Sequence, residues 1–169
     1  IQPKPNRLYL EPHLTTELNG TKLRYTLRGR RYEIELNSEV CGVTANGCTL
    51  RDRHPFGVNA TDTGLEYFPG TNTDWVMSIA KPKGQPLTIQ IESWPNDPAL
   101  PRRWIESSPQ AKGKTPHSVT HLQPNATYQL KANATTIAML HADKAGRAKF
   151  TYKHDYAVPQ RFELVLVSP

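Results

Sequence analysis

His117 and His121 are four residues apart, a chelating distance on a helix. On a strand the same spacing spans about 13 Å, too far for one metal ion. Asp52, His54, Asp62 and Glu66 crowd a loop-rich middle stretch and could pair as general acid and base, but nothing local fixes their geometry. Gly-x-Ser-x-Gly, a phosphate loop and His-Glu-x-x-His are all missing. Asp143-Lys-Ala-Gly146 reads as a turn and lacks the acidic repeat of a calcium loop. Cys41 and Cys48 are too few for a structural zinc site, and no His cluster accompanies them. The sequence therefore assigns no catalytic residue, no metal and no cofactor.

Recognition chemistry is better represented. Sugar rings stack on Trp and Tyr faces through their apolar C–H side. Trp94 follows a segment in which Leu87, Ile89 and Ile91 alternate inward, so its parity matches the outward Thr88, Gln90 and Glu92. An exposed indole there, close to Trp104 across a Pro-rich stretch, would form a sugar platform. The competing reading is that residues 95–104 fold over Trp94 and bury it. Trp75 shares parity with Met77 and Ile79 and is assigned to the core, as are Tyr25, Tyr32 and Tyr128.

Basic residues fall in small groups: Arg28/Arg30/Arg31, Arg51/Arg53, Arg102/Arg103 and Lys112/Lys114. If the first two groups converge at one sheet edge, their guanidinium forks suit carboxylates or sulfates. Alternatively they block edge-to-edge strand pairing. The net charge of +6 and pI near 9.4 favour anionic surroundings, or merely keep a β protein soluble. Nucleic-acid binding is disfavoured, because aromatics do not interleave with a basic face.

Four Asn-x-Thr sequons, at Asn19, Asn59, Asn125 and Asn133, lie in or beside predicted turns and would mark a secreted glycoprotein in a glycosylating host. A Cys41–Cys48 disulfide is expected to accompany export. Asn46-Gly47 is a strong hairpin turn that would set Ala45 opposite Cys48, so Cys41 reaches Cys48 only through a bulge or wider loop at Gly42. A chain that starts at Ile1 without an initiator Met is expected to be a processed protein or a piece of a larger one.

The elements that must position these residues are strands. Leu23, Tyr25 and Leu27 alternate with polar residues, as do Tyr32, Ile34 and Leu36 after Gly29, which predicts a hairpin over 21–36. Further strands are predicted near 7–10, 39–44, 48–52, 64–68, 75–79, 86–94, 117–121, 127–132, 135–142, 147–152 and 161–167. Residues 95–116 hold Pro95, Pro98, Pro101, Pro109 and Pro116 and read as a crossover, interrupted at most by an edge strand at 103–106. Such a succession predicts an all-β, antiparallel β-sandwich. One unit over 1–169 is expected, with a division into 1–94 and 117–169 as the alternative.

Leu122-Gln-Pro-Asn-Ala-Thr-Tyr128 resembles the Leu-x-Pro-x-Thr-x-Tyr stretch of fibronectin type III domains, in which the Tyr hydroxyl ties back to upstream backbone. Thr127 stands one residue later than in that family, and more strands follow Tyr128 than a type III domain supplies. The segments 8–14 and 23–36 also look like the β-sandwich that follows the helical catalytic barrel of some glycoside phosphorylases and hydrolases, and 122–167, with Ala142-Asp-Lys-Ala-Gly146 before an aromatic strand, looks like the Ig-like sandwiches appended to secreted polysaccharide-degrading enzymes. That resemblance implies a non-catalytic accessory module that holds a glycan or buttresses a catalytic domain of the same precursor.

The expected function is therefore a secreted, glycan-associated module. Trp94 and Trp104 would stack on sugar, and Arg28, Arg30 and Arg31 would favour an acidic polysaccharide. An extracellular protein-interaction or adhesion domain is the alternative, and a small β enzyme using the 52–66 loops is the third possibility.

Overall fold

A computed structural model describes residues 1–11, 16–81, 85–109, 112–155 and 158–168. Residues 12–14 of the 8–14 segment lie outside them. The strands are β1 (Gln2–Pro3), β2 (Leu8–Leu10), β3 (Thr21–Leu27), β4 (Arg30–Leu36), β5 (Cys41–Ala45), β6 (Cys48–Asp52), β7 (Phe56–Ala60) and β8 (Gly64–Pro69), followed by β9 (Met77–Ala80), β10 (Leu87–Ser93), β11 (Arg102–Ser107), β12 (Lys112–Val119), β13 (Thr127–Ala132), β14 (Thr135–His141), β15 (Ala148–Asp155) and β16 (Gln160–Ser168). One short 3₁₀ turn, Thr16–Leu18, precedes β3. No helix among the described residues is long and apolar enough to cross a membrane.

The fold is a two-sheet β-sandwich. One sheet runs β1-β2-β7-β8-β9-β12-β15, the other β14-β13-β16-β11-β10-β6-β5-β4-β3. Both sheets mix strands from before and after the Pro-rich stretch, and a single core cluster runs from Leu8 to Leu164. Neighbouring strands are antiparallel except β6 and β10, which pair in parallel from Leu87↔Cys48 to Gln90↔Arg51.

Alternation explains most of this. Tyr32, Ile34 and Leu36 of β4 are buried, as are Leu87, Ile89 and Ile91 of β10; burying each such side chain contributes about 1.5–3 kcal/mol. The two predicted turns form with positive φ at both central residues, Arg28-Gly29 and Asn46-Gly47, as a two-residue turn between right-twisted strands requires. The tyrosine corner is also present. Tyr128 accepts a hydrogen bond from the Gln123 N–H at 2.9 Å and donates to the Pro98 carbonyl at 3.1 Å.

Several expectations are corrected. The stretch at 103–106 is no edge strand: β11 is interior, flanked by β10 and β16. Its prolines lie outside the strand, so they remove no ladder donor from it. Pro116 does lie within a strand, β12, but the pairing of β12 with β9 stops at the adjacent His117. Strand β7 was not foreseen, because Pro55, Gly57 and Asn59 read as loop residues. Tyr25 and Leu23 are exposed rather than core, since β3 is the last strand of its sheet and is exposed along most of its length.

The cysteines are both free and buried, not bridged. The pairing of β5 with β6 runs without interruption from Ala45↔Cys48 to Cys41↔Asp52, so the bulge that a disulfide required does not form. Four residue steps, about 13 Å, separate the two thiols along the ladder. Burial pushes the Cys48 thiol up to about 12, which makes it unreactive as a nucleophile.

Candidate functional site

The parallel pairing of β10 with β6 sends both strands toward the same end of the sandwich. There Asp52 closes β6, Tyr67 stands near the end of β8, and the chain leaving β10 carries Trp94. Between them opens a cleft of about 560 Å³, with Tyr9 and Glu11 at the end of β2, His54 and Pro55 after β6, and Asn72 and Asn96 from the flanking loops.

Trp94 reaches the cleft by a mechanism that parity alone misses. Ile91 pairs with Trp104, but Ser93 pairs with Arg103, so β10 carries one extra residue at a bulge. The extra residue reverses the alternation and turns Trp94 from the outer face toward the inner one. Its ring packs edge-on against Tyr67 at 5.6 Å between centroids and lies 5.7 Å from Trp104. Behind it, the Arg102 guanidinium lies 5.4 Å from the ring centroid and donates to the backbone carbonyls of Thr120 and His121. Burial lowers the Arg102 pKa to about 10, which still leaves it cationic at neutral pH. Trp94 is thus half-buried, a wall of the cleft rather than a free platform.

Asp52 forms the polar floor. It is 1% exposed, accepts a 2.6 Å hydrogen bond from the Tyr67 hydroxyl and a 3.0 Å bond from the His54 backbone N–H, and lies 3.2 Å from His54 Nδ1. Burial pushes the Asp52 carboxyl up, and the bonds from Tyr67 and His54 pull it partly back. Burial and the adjacent carboxylate hold the Tyr67 phenol well above its ordinary value, so Tyr67 remains a donor. The His54 side chain is 67% exposed at the cleft mouth. Together these residues give the cleft an aromatic wall, a fixed acceptor and adjustable rim groups, the mixture that small-ligand sites use.

Trp104 is corrected. It is fully buried, and its Nε1 donates to Glu106 at 2.7 Å, so it offers no face to a sugar. Glu106 also lies 2.6 Å from His117 Nε2, and His117 stacks on Phe150 at 4.2 Å. His117 is therefore a core residue between the sheets, while His121 is exposed beyond β12 at positive φ. Trp75 is only half-buried, because Val76 rather than Trp75 turns inward.

The basic group lies elsewhere. Arg28, Arg30 and Arg31 occupy the β3–β4 tip, where Arg30 pairs with Asp62 at 2.8 Å. The same Asp62 segment contacts Asn46 in the β5–β6 turn, and the adjoining Gly47 carbonyl bonds Leu87 at the start of β10. Trp94 lies past the other end of β10, about 20 Å away at the usual rise per residue. Arg51 approaches Glu35 at 3.7 Å on the outer face, and Arg103 pairs with Glu163 at 2.7 Å. The fold therefore does not bring the group Arg28, Arg30 and Arg31 to Trp94, whose ring meets Arg102 instead.

Of the four loop residues with acid–base potential, only Asp52 and His54 meet in the cleft. Asp62 is at the opposite end, and Glu66 accepts from Asn59 across β7 and β8. Among the described residues, no three His, Cys, Asp or Glu side chains converge to hold a metal. Asn59 sits within β7 with its amide donating to Glu66, and Asn133, though exposed in a turn, donates its amide to Gln160; Asn19 and Asn125 are exposed in turns, Asn19 accepting from the Ser38 N–H. Tyr9, Tyr67, Asn72 and Asn96 were not foreseen as site residues. Their types are ordinary, and only the pairing of distant strands assembles them.

No protein-family model, curated protein or solved structure matches this chain.

Proposed function

We propose that this protein is a non-catalytic saccharide-recognition module, with the Trp94 cleft as its binding site. One observation carries the proposal: an open cleft in which Trp94 and two tyrosines stand beside Asp52, His54, Asn72 and Asn96. Pyranose rings offer an apolar C–H face to the aromatic wall and hydroxyls to the polar groups. A secreted setting, with glycans on exposed sequons and a catalytic domain in the same precursor, belongs to the same proposal. The arginines at the β3–β4 tip would meet an acidic polymer only as a separate, solvent-screened patch.

Affinity electrophoresis against a panel of neutral and charged polysaccharides tests this. Retardation by at least one polymer, relieved by His54→Ala combined with Asn96→Ala, is expected. Unchanged mobility across the panel refutes it.

Two other readings have an observation each. Ile137 and Met139 on β14 and Val167 on β16 leave exposed apolar surface, which suits a protein-docking domain. The contact between Asp52 and the exposed His54 ring suits a general base. Turnover of an ester or glycoside by the isolated chain, abolished by His54→Ala, would favour that enzymatic reading over recognition.

A further inference from the structure

The arginines that the cleft leaves unused gather beside β3, the long open edge of the sandwich. At the other end of the same sheet, β14 approaches β15 and closes that side. β3 pairs only with β4 and runs for seven residues, without proline or bulge, from Thr21↔Leu36 to Leu27↔Arg30. The two-residue turn Arg28-Gly29 makes Leu27 and Arg30 a hydrogen-bonded pair, so Tyr25 and Leu23 also turn their backbone groups toward β4. The N–H and C=O of Lys22, Arg24 and Thr26 therefore point away from β4, and among the described residues no other backbone group bonds them.

Each face of this edge has its own character. Leu23 and Tyr25, 38% and 37% exposed, stand opposite the buried Ile34 and Tyr32, so the apolar row of the sheet continues one strand beyond its cover. The outer face carries Lys22, Arg24, Arg31 and Arg51, with Arg28 at the turn, and the only carboxylates on that face of β3 to β6 are Glu33 and Glu35. Arg24 pairs with Glu33 at 3.3 Å and Arg51 approaches Glu35 at 3.7 Å, which leaves the face cationic.

Antiparallel pairing with the β3 of a second copy would bring that cationic row against itself. Every register that keeps the apolar faces aligned sets Lys22 or Arg24 opposite, or diagonal to, a like charge. An extended segment in which acidic and apolar residues alternate meets the reverse. Its backbone satisfies the free ladder groups, its apolar side chains extend the Leu23–Tyr25 row, and its carboxylates lie beside Lys22, Arg24 and Arg28. The charges that exclude self-pairing thus select an acidic strand.

We propose that β3 is a docking edge that takes an extended, acidic–apolar segment of a partner protein as an added strand. The proposal is independent of the Trp94 cleft.

Amide hydrogen exchange, read by NMR on the intact protein, tests it with three nine-residue peptides. In the first glutamate alternates with valine, in the second lysine alternates with valine, and the third is the first with two valines replaced by proline. In the free protein the amides of Lys22, Arg24 and Thr26 are expected to exchange faster than those of Leu23, Tyr25 and Leu27. Saturation with the first peptide is expected to slow these three amides by about tenfold, the factor that one added backbone bond supplies. The other two peptides are expected to leave them unchanged. Arg24→Pro deletes an outward N–H without touching the ladder to β4 and is expected to abolish the slowing. Lys22→Gln combined with Arg24→Gln keeps the backbone intact and is expected to weaken binding of the first peptide by roughly threefold at low salt. No slowing, or equal slowing by the lysine or the proline peptide, overturns the proposal. Finding the three amides already protected in the free protein, by the rest of the chain or by self-association, overturns it as well.

Discussion

Replacing Tyr67 with Phe tests whether the floor of the cleft is an ionised, buried carboxylate held by a phenol. Phe keeps the ring that packs on Trp94 and Phe56 and removes only the hydroxyl that donates to Asp52 at 2.6 Å. A hydrogen bond to a charged, buried acceptor contributes about 1.5–3 kcal/mol. For a chain of this length that corresponds to a fall in Tm of about 3–12 °C at neutral pH.

The pH dependence follows from the direction of the Asp52 shift. Burial raises its folded-state pKa above the ordinary aspartate value despite the bonds from Tyr67 and His54. The folded state therefore holds the proton more tightly than the unfolded state. Its stabilising contribution is fully present below the unfolded pKa and is lost as pH rises through the folded one. Tyr67→Phe removes a bond that lowers this pKa, so it widens the window. The stability gap between wild type and variant is then largest at neutral pH. It shrinks by about half once Asp52 is protonated, since the lost bond becomes a neutral one. Urea denaturation of both proteins at pH 7 and pH 4 measures the gap. A loss below about 0.5 kcal/mol at pH 7, or an equal loss at both pH values, would refute the reasoning.

Other perturbations probe the core and the corner. Glu106→Leu breaks the buried contact with His117 and the bond from Trp104; a loss of about 3–5 kcal/mol is expected from urea unfolding. Pairing it with His117→Leu should cost less than the sum of the single changes, because the His117 ring is then no longer left behind and only the Trp104 N–H has lost its acceptor. Tyr128→Phe removes the hydroxyl that links Gln123 to Pro98, with an expected loss of about 1–2 kcal/mol and no change in the circular-dichroism spectrum. Without reductant, Cys41 and Cys48 should both resist a thiol reagent in the native protein and both react after denaturation. Finding no titratable thiol in the denatured chain would restore the disulfide.

Alternation made the sandwich legible: the buried sides of β4 and β10 follow directly from Tyr32–Leu36 and Leu87–Ile91. It indicates which side of a strand is apolar, not what lies opposite, and so Leu23 and Tyr25 look like core although β3 is the sheet's last strand. Alternation also assumes an unbroken ladder. One bulge between Ile91 and Ser93 was enough to move Trp94 from the outer face to the cleft. Prolines misled in the opposite direction: their density from 95 to 116 hid β11, which runs between them as an interior strand. The cleft was the least legible feature. Tyr9, Asp52, Tyr67 and Trp94 come from four separate strand ends, and their meeting depends on the parallel pairing of β6 and β10, which no local pattern announces.

The most direct measurement is an NMR map of the intact protein titrated with an oligosaccharide cut from whichever polymer retards it. Recognition at the cleft predicts shifts at the Trp94 indole, the His54 ring and the Asn72 and Asn96 side-chain amides, with Arg28 to Arg31 unmoved. Shifts confined to the β3–β4 tip, or to Ile137 and Met139 on the outer face, would contradict it.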